Sequence, residues 1–151
     1  MCIRDSVNLS IPRRDENDAD PQPPSKEQIA GYQLLKDDGP RITENVLAAL
    51  LKDYTQLRKR WLKQDPDLES ELPAISTTKE MRKHVGVGIV HVHDIAKSGH
   101  AYIGLELGCT WDEEHGAGVI LHKSRVIAAG QADTSFDTHA AIKDGGKRIK
   151  A

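Results

Sequence analysis

The sequence is poor in cysteine, in aromatic side chains and in long apolar runs. Two cysteines, Cys2 and Cys109, stand among 151 residues, which excludes a disulfide framework and indicates a reducing compartment. No apolar stretch approaches the roughly 18 residues of a membrane-spanning helix. The first residues contain no apolar segment of the kind found in signal peptides. We therefore predict a cytoplasmic protein of bacterial type, without a membrane partner.

The composition fits one globular domain of polar character. Hydrophobic residues make up 38%, charged residues 29% and aromatic residues 4% of the chain, so the core must consist mainly of Val, Ile, Leu and Ala. A chain of 151 residues can bury such a core without disulfide bonds. Because the net charge is −2, the chain has no general attraction to nucleic acid, which is not an expected partner.

The chain divides into three parts. Residues 1–6, Met-Cys-Ile-Arg-Asp-Ser, have the character of a translated read-end artefact of metagenome assemblies, and we expect the native N-terminus to be missing. Hydrophobic periodicity extends over residues 7–135, which predicts a single domain there. Residues 136–151 offer little to bury and carry several lysines, so we expect a disordered basic tail.

Two main helices are predicted in the first half. Ser25 and Gln28 are spaced as a capping box, and Gly39-Pro40 would end the helix that follows. Its apolar stripe would comprise Ile29, Tyr32 and Leu35. A second helix would run from Thr43 to Asp65-Pro66, with an apolar face repeating about every 3.6 residues. That face comprises Val46, Leu50, Tyr54, Leu57 and Trp61.

Strands dominate the second half. The first strand, Val7–Ile11, precedes an exposed loop at 13–24, and a short helix capped by Thr77 and Glu80 leads to His84. Four more strands are predicted at residues 85–94, 101–108, 119–122 and 125–129, with a bulge near Ile89–Val90. Because strands and helices are segregated, we predict an α+β fold. Its antiparallel sheet would have four to five strands, with two main helices packed on one face.

The turn from Cys109 to Gly118 is the most distinctive segment. Its candidate functional residues are Cys109, Trp111, Asp112, Glu114, His115, Gly116 and Gly118. The favoured interpretation is architectural: Gly116 and Gly118 permit unusual backbone geometry or close approach, and Trp111 anchors the turn to the core. If the turn has a chemical function, Glu114 and His115 are the pair of residues to test.

Two chemical alternatives stay open for this turn. In one, Cys109 is a nucleophile with His115 as its base. In the other, Cys109 and His115 bind a metal with Asp112 or Glu114 and a histidine from a neighbouring strand, His91 or His93. Alternation places His91 and His93 on the same strand face. The spacing matches no zinc template, and no glycine-rich phosphate loop is present, so we predict no cofactor and name no catalytic residue.

The segment from Tyr102 to Asp133 resembles a bacterial family of domains of unknown function, the one numbered 6985. The resemblance rests on Cys109-x-Trp111-Asp112-x-Glu114-His115-Gly116-x-Gly118, on the hairpin after it and on Gly130-Gln131-Ala132-Asp133. It covers roughly residues 7–135 and implies no activity, cofactor or catalytic residue. The family pattern also includes sequence before the first strand of this chain, which agrees with a truncated start.

The function predicted from these features is that of a non-enzymatic protein-interaction module. Small, somewhat acidic immunity proteins that neutralise bacterial toxins are one setting, by analogy of class alone. Such a role predicts a surface patch of apolar and acidic residues. The alternative is a metal-binding protein or metal-dependent enzyme that uses Cys109, His115 and a strand histidine. The sequence does not indicate an oligomeric state.

Overall fold

The structure, a computed structural model, describes residues 8–11 and 22–150. The helices are α1 (Lys26–Asp37), α2 (Gly39–Gln64), α3 (Thr78–Met81) and α4 (Thr138–Lys143), and the strands are β1 (Asn8–Ser10), β2 (Val85–Lys97), β3 (His100–Cys109), β4 (Ala117–His122), β5 (Arg125–Gly130) and β6 (Lys147–Arg148). Short 3-10 helices lie at Pro66–Ser70, Arg82–His84 and Ala132–Phe136. The predicted artefact at residues 1–6, Val7 and the loop at 13–21 lie outside the described residues. No helix of the described part combines the length and apolar character needed to cross a membrane.

The strands of the described residues form one sheet in the order β1-β2-β3-β4-β5, and β6 also pairs with β2. β1 runs parallel to β2, whereas the other pairings are antiparallel. The α+β class and the mainly antiparallel sheet are as predicted, with β6 as an additional strand. The predicted bulge is confirmed by a register shift between Val87 and Ile89, and a second shift follows between Val92 and Ala96.

One face of the sheet packs against α1 and α2. Alternate residues of β3 and β4 point to this face and meet the buried side of α2 in one continuous cluster. Its most deeply buried members include Val46, Leu47, Leu50, Tyr54, Ala101 and Val119. As the composition predicts, this core is mainly aliphatic.

The predicted apolar stripe of α1 is confirmed at Leu35 and wrong at Ile29 and Tyr32. Ile29 and Tyr32 are exposed (55% and 37%), whereas Gln28, Gly31 and Leu35 are buried. The capping box of Ser25 and Gln28 is confirmed. Gln28 is turned inward because its side chain accepts from the Ser25 amide and donates to the carbonyl of His93. Tertiary packing therefore overrides the spacing of the large apolar residues.

The predicted boundary between the two helices is also corrected. Gly39-Pro40 does not terminate α1, which ends at Asp37, but forms the first turn of α2. Proline fits that position because a first-turn N–H has no intrahelical acceptor. The end of α2 before Asp65-Pro66 is confirmed. The predicted first strand is found as β1, but its Leu9 and the following Ile11 are exposed (48% and 37%), so these apolar side chains do not contribute to the core.

The second face of the sheet is covered by the chain that follows β5. The 3-10 helix Ala132–Phe136 crosses β3 and β4, and α4 packs its buried Ala141 against Ile95, Tyr102 and Ile120. The disordered tail predicted for residues 136–151 is therefore wrong over the described part, up to residue 150. Asp137 caps α4, and the Ile149 amide donates to the Asp94 carbonyl at 2.7 Å. The sequence pattern did not predict this ordered segment because the residues at the contact, Ala140, Ala141 and Gly146, are small and form no recognisable apolar pattern.

Candidate functional site

The candidate turn joins the end of β3 to the start of β4. Cys109 is the last residue of β3, and Ala117 the first of β4. Gly116 closes the turn by donating its amide to the Asp112 carbonyl at 2.8 Å. Its φ of 65° lies in the left-handed region, which glycine adopts without strain.

Asp112 organises the inside of the turn. Its Oδ1 accepts a hydrogen bond from the His115 amide at 3.0 Å and lies 3.1 Å from His115 Nδ1. Gln131 Nε2 donates to Oδ2 at 3.5 Å. The carboxylate is largely covered, with 14% of its side chain exposed, whereas the His115 side chain is 57% exposed. Asp112 therefore has a structural role, and the imidazole faces solvent.

The pair named from the sequence, Glu114 and His115, is not the pair that the fold forms. His115 contacts Asp112, three residues earlier, and Glu114 is exposed. Both the amide and the ring of His115 lie within hydrogen-bond distance of Asp112 Oδ1, so the turn folds back on the carboxylate three residues earlier. Sequence adjacency was the wrong criterion.

Gly118 lies where another segment crosses β4. A Cβ atom at Gly118 would stand 2.7 Å from the Gln131 carbonyl oxygen and 2.8 Å from that of Ala132. The Ala132 amide donates to the His115 carbonyl at 3.2 Å, which joins the turn to the same segment. Both glycines of the motif thus serve the architecture of the turn and its contact with the 3-10 helix Ala132–Phe136.

Trp111 packs against Tyr54 of α2. Its ring centroid lies 4.4 Å from that of Tyr54, at an interplanar angle of 40°. Tyr54 is buried, and its hydroxyl donates to the Pro73 carbonyl at 2.6 Å. Burial raises the pKa of Tyr54, so the phenol stays protonated and the contact is a neutral one. Trp111 is thereby held in place while remaining partly exposed.

An open groove of about 620 Å³ lies beside this tryptophan, and we call it the aromatic groove. It is lined by Trp61, Gln64, Asp65, Leu68, Glu71, Leu72, Thr110, Trp111 and Glu113. The lining comes from the end of α2, the 3-10 helix Pro66–Ser70 and the motif turn. Both tryptophans of the chain contribute to it. Its walls combine the two tryptophans and two leucines with polar residues, and its charged side chains are all carboxylates.

Cys109 is unsuited to nucleophilic chemistry. It is buried, and its Sγ donates to the Asp112 carbonyl at 3.4 Å. Burial raises the pKa of the thiol, which keeps it protonated and unreactive. The structure gives Cys109 no contact with His115, the base proposed for it.

The strand histidines occupy the other face of the sheet. His91 and His93 share that face, as alternation predicts, with ring centroids 6.2 Å apart. His91 Nε2 lies 2.9 Å from Glu106 Oε2, and buried His93 Nε2 donates to the Ser135 carbonyl at 2.8 Å. Burial lowers the pKa of His93, which favours the neutral ring.

The predicted metal-ligand set is not brought together. Cys109 belongs to the core cluster beneath the helices, whereas His93 packs against the 3-10 helix on the opposite face. Within residues 8–11 and 22–150, no three His, Cys, Asp or Glu side chains are grouped so that they could hold a metal ion. The alternation that pairs His91 with His93 also separates them from Cys109.

The groove contains residues that the sequence analysis assigned elsewhere. Trp61 was placed on the apolar face of the second helix, and Leu68, Glu71 and Leu72 were given no role. Trp61 is partly exposed and lines the groove instead. One feature of the sequence could have indicated the groove, namely the small number of tryptophans. The chain has two, and one lies near the end of its longest helix while the other lies in its most distinctive turn.

Comparison with known proteins identifies one family. The model of the family described as domain of unknown function (DUF6985) matches residues 4–136. No curated protein matches the chain. No solved structure matches it either.

Proposed function

We propose that this chain, which belongs to the family described as domain of unknown function (DUF6985), is a non-enzymatic protein-interaction module that binds a basic segment of its partner in the aromatic groove. The observation that carries the proposal is the placement of both tryptophans, Trp61 and Trp111, in one open groove whose charged residues are acidic. This is the kind of apolar and acidic patch that an interaction role predicts.

The chemistry of the groove favours a lysine or arginine side chain as the anchor. An indole face attracts a cation and also packs against the aliphatic stem of the same side chain. Asp65, Glu71 and Glu113 supply charges of the opposite sign. Tryptophan is among the residues that most often dominate binding energy in protein interfaces.

The groove is also preorganised. Trp111 is fixed by the contact with Tyr54, and Arg58 Nε donates to the Leu72 carbonyl at 3.3 Å, which ties the segment after the 3-10 helix Pro66–Ser70 to α2. Rigid walls lose little conformational entropy on binding, so more of the contact energy becomes affinity. Toxin neutralisation by an immunity protein is one setting for such a groove, proposed by analogy of class.

Intrinsic fluorescence tests this proposal directly because both tryptophans lie in the groove. The probes are a capped Leu-Arg-Leu tripeptide and its Leu-Glu-Leu counterpart. We expect the arginine peptide to change the emission in a saturable way, and the glutamate peptide to leave it unchanged. Equal responses to both peptides, or no response to either, would contradict the proposal.

Charge-reversal variants locate the effect. The doubly substituted Glu71→Lys, Glu113→Lys chain changes two groove residues, and Glu69→Lys, Glu114→Lys changes two exposed neighbours outside it to give the same net charge. We expect the first to lose at least about tenfold in peptide affinity and the second less than about twofold. A host protein retained by wild type and by the control but lost from the groove variant would extend the result to the natural partner.

A further inference from the structure

A second open cavity, of about 730 Å³, lies at the other end of β3. It is bounded by the start of α1, the turn between β2 and β3, and the segment around β6. Because β3 has 10 residues, this cavity and the aromatic groove are separated by roughly 30 Å of strand. We call it the basic cavity, after the cations that line it: Lys26, Lys97, Lys147, Arg148 and Lys150. Glu27 is the acidic residue in its wall.

The charges of this lining are incompletely neutralised. Lys97 Nζ lies 3.5 Å from the Asp144 carboxylate, and Arg148 donates to Asp94 at 2.7 Å. In the part of the chain that the structure describes, Lys26, Lys147 and Lys150 form no salt bridge. Three lysines against one glutamate leave an excess of positive charge, in a chain whose net charge is −2.

These cations come from separate segments of the chain and are brought to one cavity by the fold. Lys26, Lys97 and Lys147 are distant along the chain but line the same cavity. The pairing of β6 with the end of β2 places Lys147 opposite Ala96, next to Lys97. The segment is held there by the Ile149 amide on the Asp94 carbonyl at 2.7 Å and by Lys97 Nζ on the Asp144 carbonyl at 2.8 Å. Like charges along one cavity repel each other, and an anion bound between them would relieve that repulsion.

We infer that the basic cavity binds a small phosphorylated ligand. Its volume falls within the range of small-molecule sites, which are roughly 300–1,000 Å³. Several ammonium groups from different segments can surround a multiply charged phosphate group, and lysine binds phosphate as a point charge from any direction. The Ser98 hydroxyl, at the hairpin turn in the cavity wall, adds a neutral hydrogen-bonding group. This site is independent of the aromatic groove, so either assignment can fail without the other.

Calorimetric titration with inorganic pyrophosphate tests the inference. We expect saturable binding by the wild-type chain at low salt, and at least about a tenfold loss of affinity in the triple variant Lys26→Ala, Lys147→Ala, Lys150→Ala. The matched control removes three exposed lysines elsewhere, Lys52, Lys79 and Lys83, and so has the same net charge. We expect it to lose less than about twofold. Equal losses in both variants would show that net charge alone attracts the anion.

Two further measurements keep the result interpretable. Amide resonances of Lys97–Gly99 and Lys147–Lys150 should shift during the wild-type titration, while those of Thr110–Glu113, at the aromatic groove, stay in place. Shifts spread evenly over the surface would overturn the site. A single-stranded oligonucleotide, which carries phosphodiesters, is the second arm. Tighter binding of the oligonucleotide than of pyrophosphate would overturn the small-ligand assignment.

Discussion

The two faces of the sheet are covered by different means. On the helix face, large aliphatic side chains from α2 interlock with those of β3 and β4. On the other face, the backbone of the 3-10 helix Ala132–Phe136 lies directly on the strands at Gly104 and Gly118, where a side chain would leave no room. Two histidines, His93 and His122, are also buried there and bond to backbone carbonyls.

This difference predicts different sensitivities. The helix face depends on filled volume, so its stability should respond to the size of the side chains. The second face depends on the absence of side chains at two glycines and on neutral imidazoles, so it should respond to added bulk and to pH.

The substitution Gly104→Ala should have the largest effect. An added Cβ would stand 1.7 Å from the Ser135 carbonyl oxygen, which is backbone and cannot rotate away. We expect a loss of more than about 4 kcal/mol in the free energy of unfolding, or undocking of the chain after β5. Urea unfolding measures the first outcome, and limited proteolysis after Gly130 measures the second.

Gly108→Ala is the matched control on the same strand and the same face. A Cβ there meets nothing within 4 Å, so we expect unchanged or slightly raised stability, since alanine restricts the unfolded chain more than glycine does. If both variants unfold alike, the close approach at Gly104 is not what limits the second face.

Leu50→Ala probes the helix face and should cost about 2–5 kcal/mol. Leu50 is 1% exposed and lies in the core cluster beneath α2. The expected loss comes from buried apolar contacts and from the cavity that remains. Urea unfolding gives the value, with exposed Gln56→Ala on the same helix as control. A loss below about 1 kcal/mol would mean that this face repacks easily and does not depend on filled volume.

Mild acid should weaken the second face before the first. Burial lowers the pKa of His93 and of His122 in the folded state, so the unfolded chain takes up protons first. Stability should therefore be complete above the unfolded pKa of about 6.5 and decline as the pH falls below it. Among the charged and titratable groups facing His93, His91 and Arg148 lower its pKa and Asp94 raises it. These effects partly cancel, so burial is the main cause of the lowered pKa.

The measurement is urea unfolding between about pH 7.5 and pH 5. In His93→Gln the decline should be smaller than in wild type, because one buried titrating ring is gone and an amide can still donate to the Ser135 carbonyl. His139→Gln, at an exposed histidine, should keep the wild-type profile. Identical profiles for all three chains would remove His93 as the cause.

The contrast between the faces also explains what could be predicted from the sequence. The long helix, the capping box at Ser25 and the strands of the second half follow from periodicity and capping chemistry, which are local. The contact of the last segment could not be predicted in this way. It depends on Gly104, Gly118 and Ala141, whose small size matters only once a distant segment lies against them.

The candidate site likewise has features that follow from local sequence and features that depend on tertiary structure. The motif turn and the structural value of its glycines could be inferred from residue types alone. The partner of His115 could not, because the choice between Asp112 and Glu114 depends on how the turn folds back. Neither cavity was predicted, because Trp61 and Trp111, like Lys26 and Lys147, line a common cavity only through tertiary structure.

The smallest effect is expected at the rim of the second face, where Arg125 binds Asp144. Two nitrogens of the guanidinium donate to the two carboxylate oxygens at 3.1 and 2.7 Å, and together with the Tyr102 hydroxyl they lower the pKa of Asp144. Arg125 is 53% exposed, so solvent screens the pair. Arg125→Ala should therefore cost at most about 1 kcal/mol.

Salt dependence distinguishes this pair from the buried contacts. The difference between wild type and Arg125→Ala in urea unfolding should shrink between about 0.05 M and about 1 M sodium chloride, because salt screens exposed charges. The Leu50→Ala difference should change little over that range. A loss above about 2 kcal/mol for Arg125→Ala, independent of salt, would mean that α4 is held by charge at its rim as much as by Ala141 in its core.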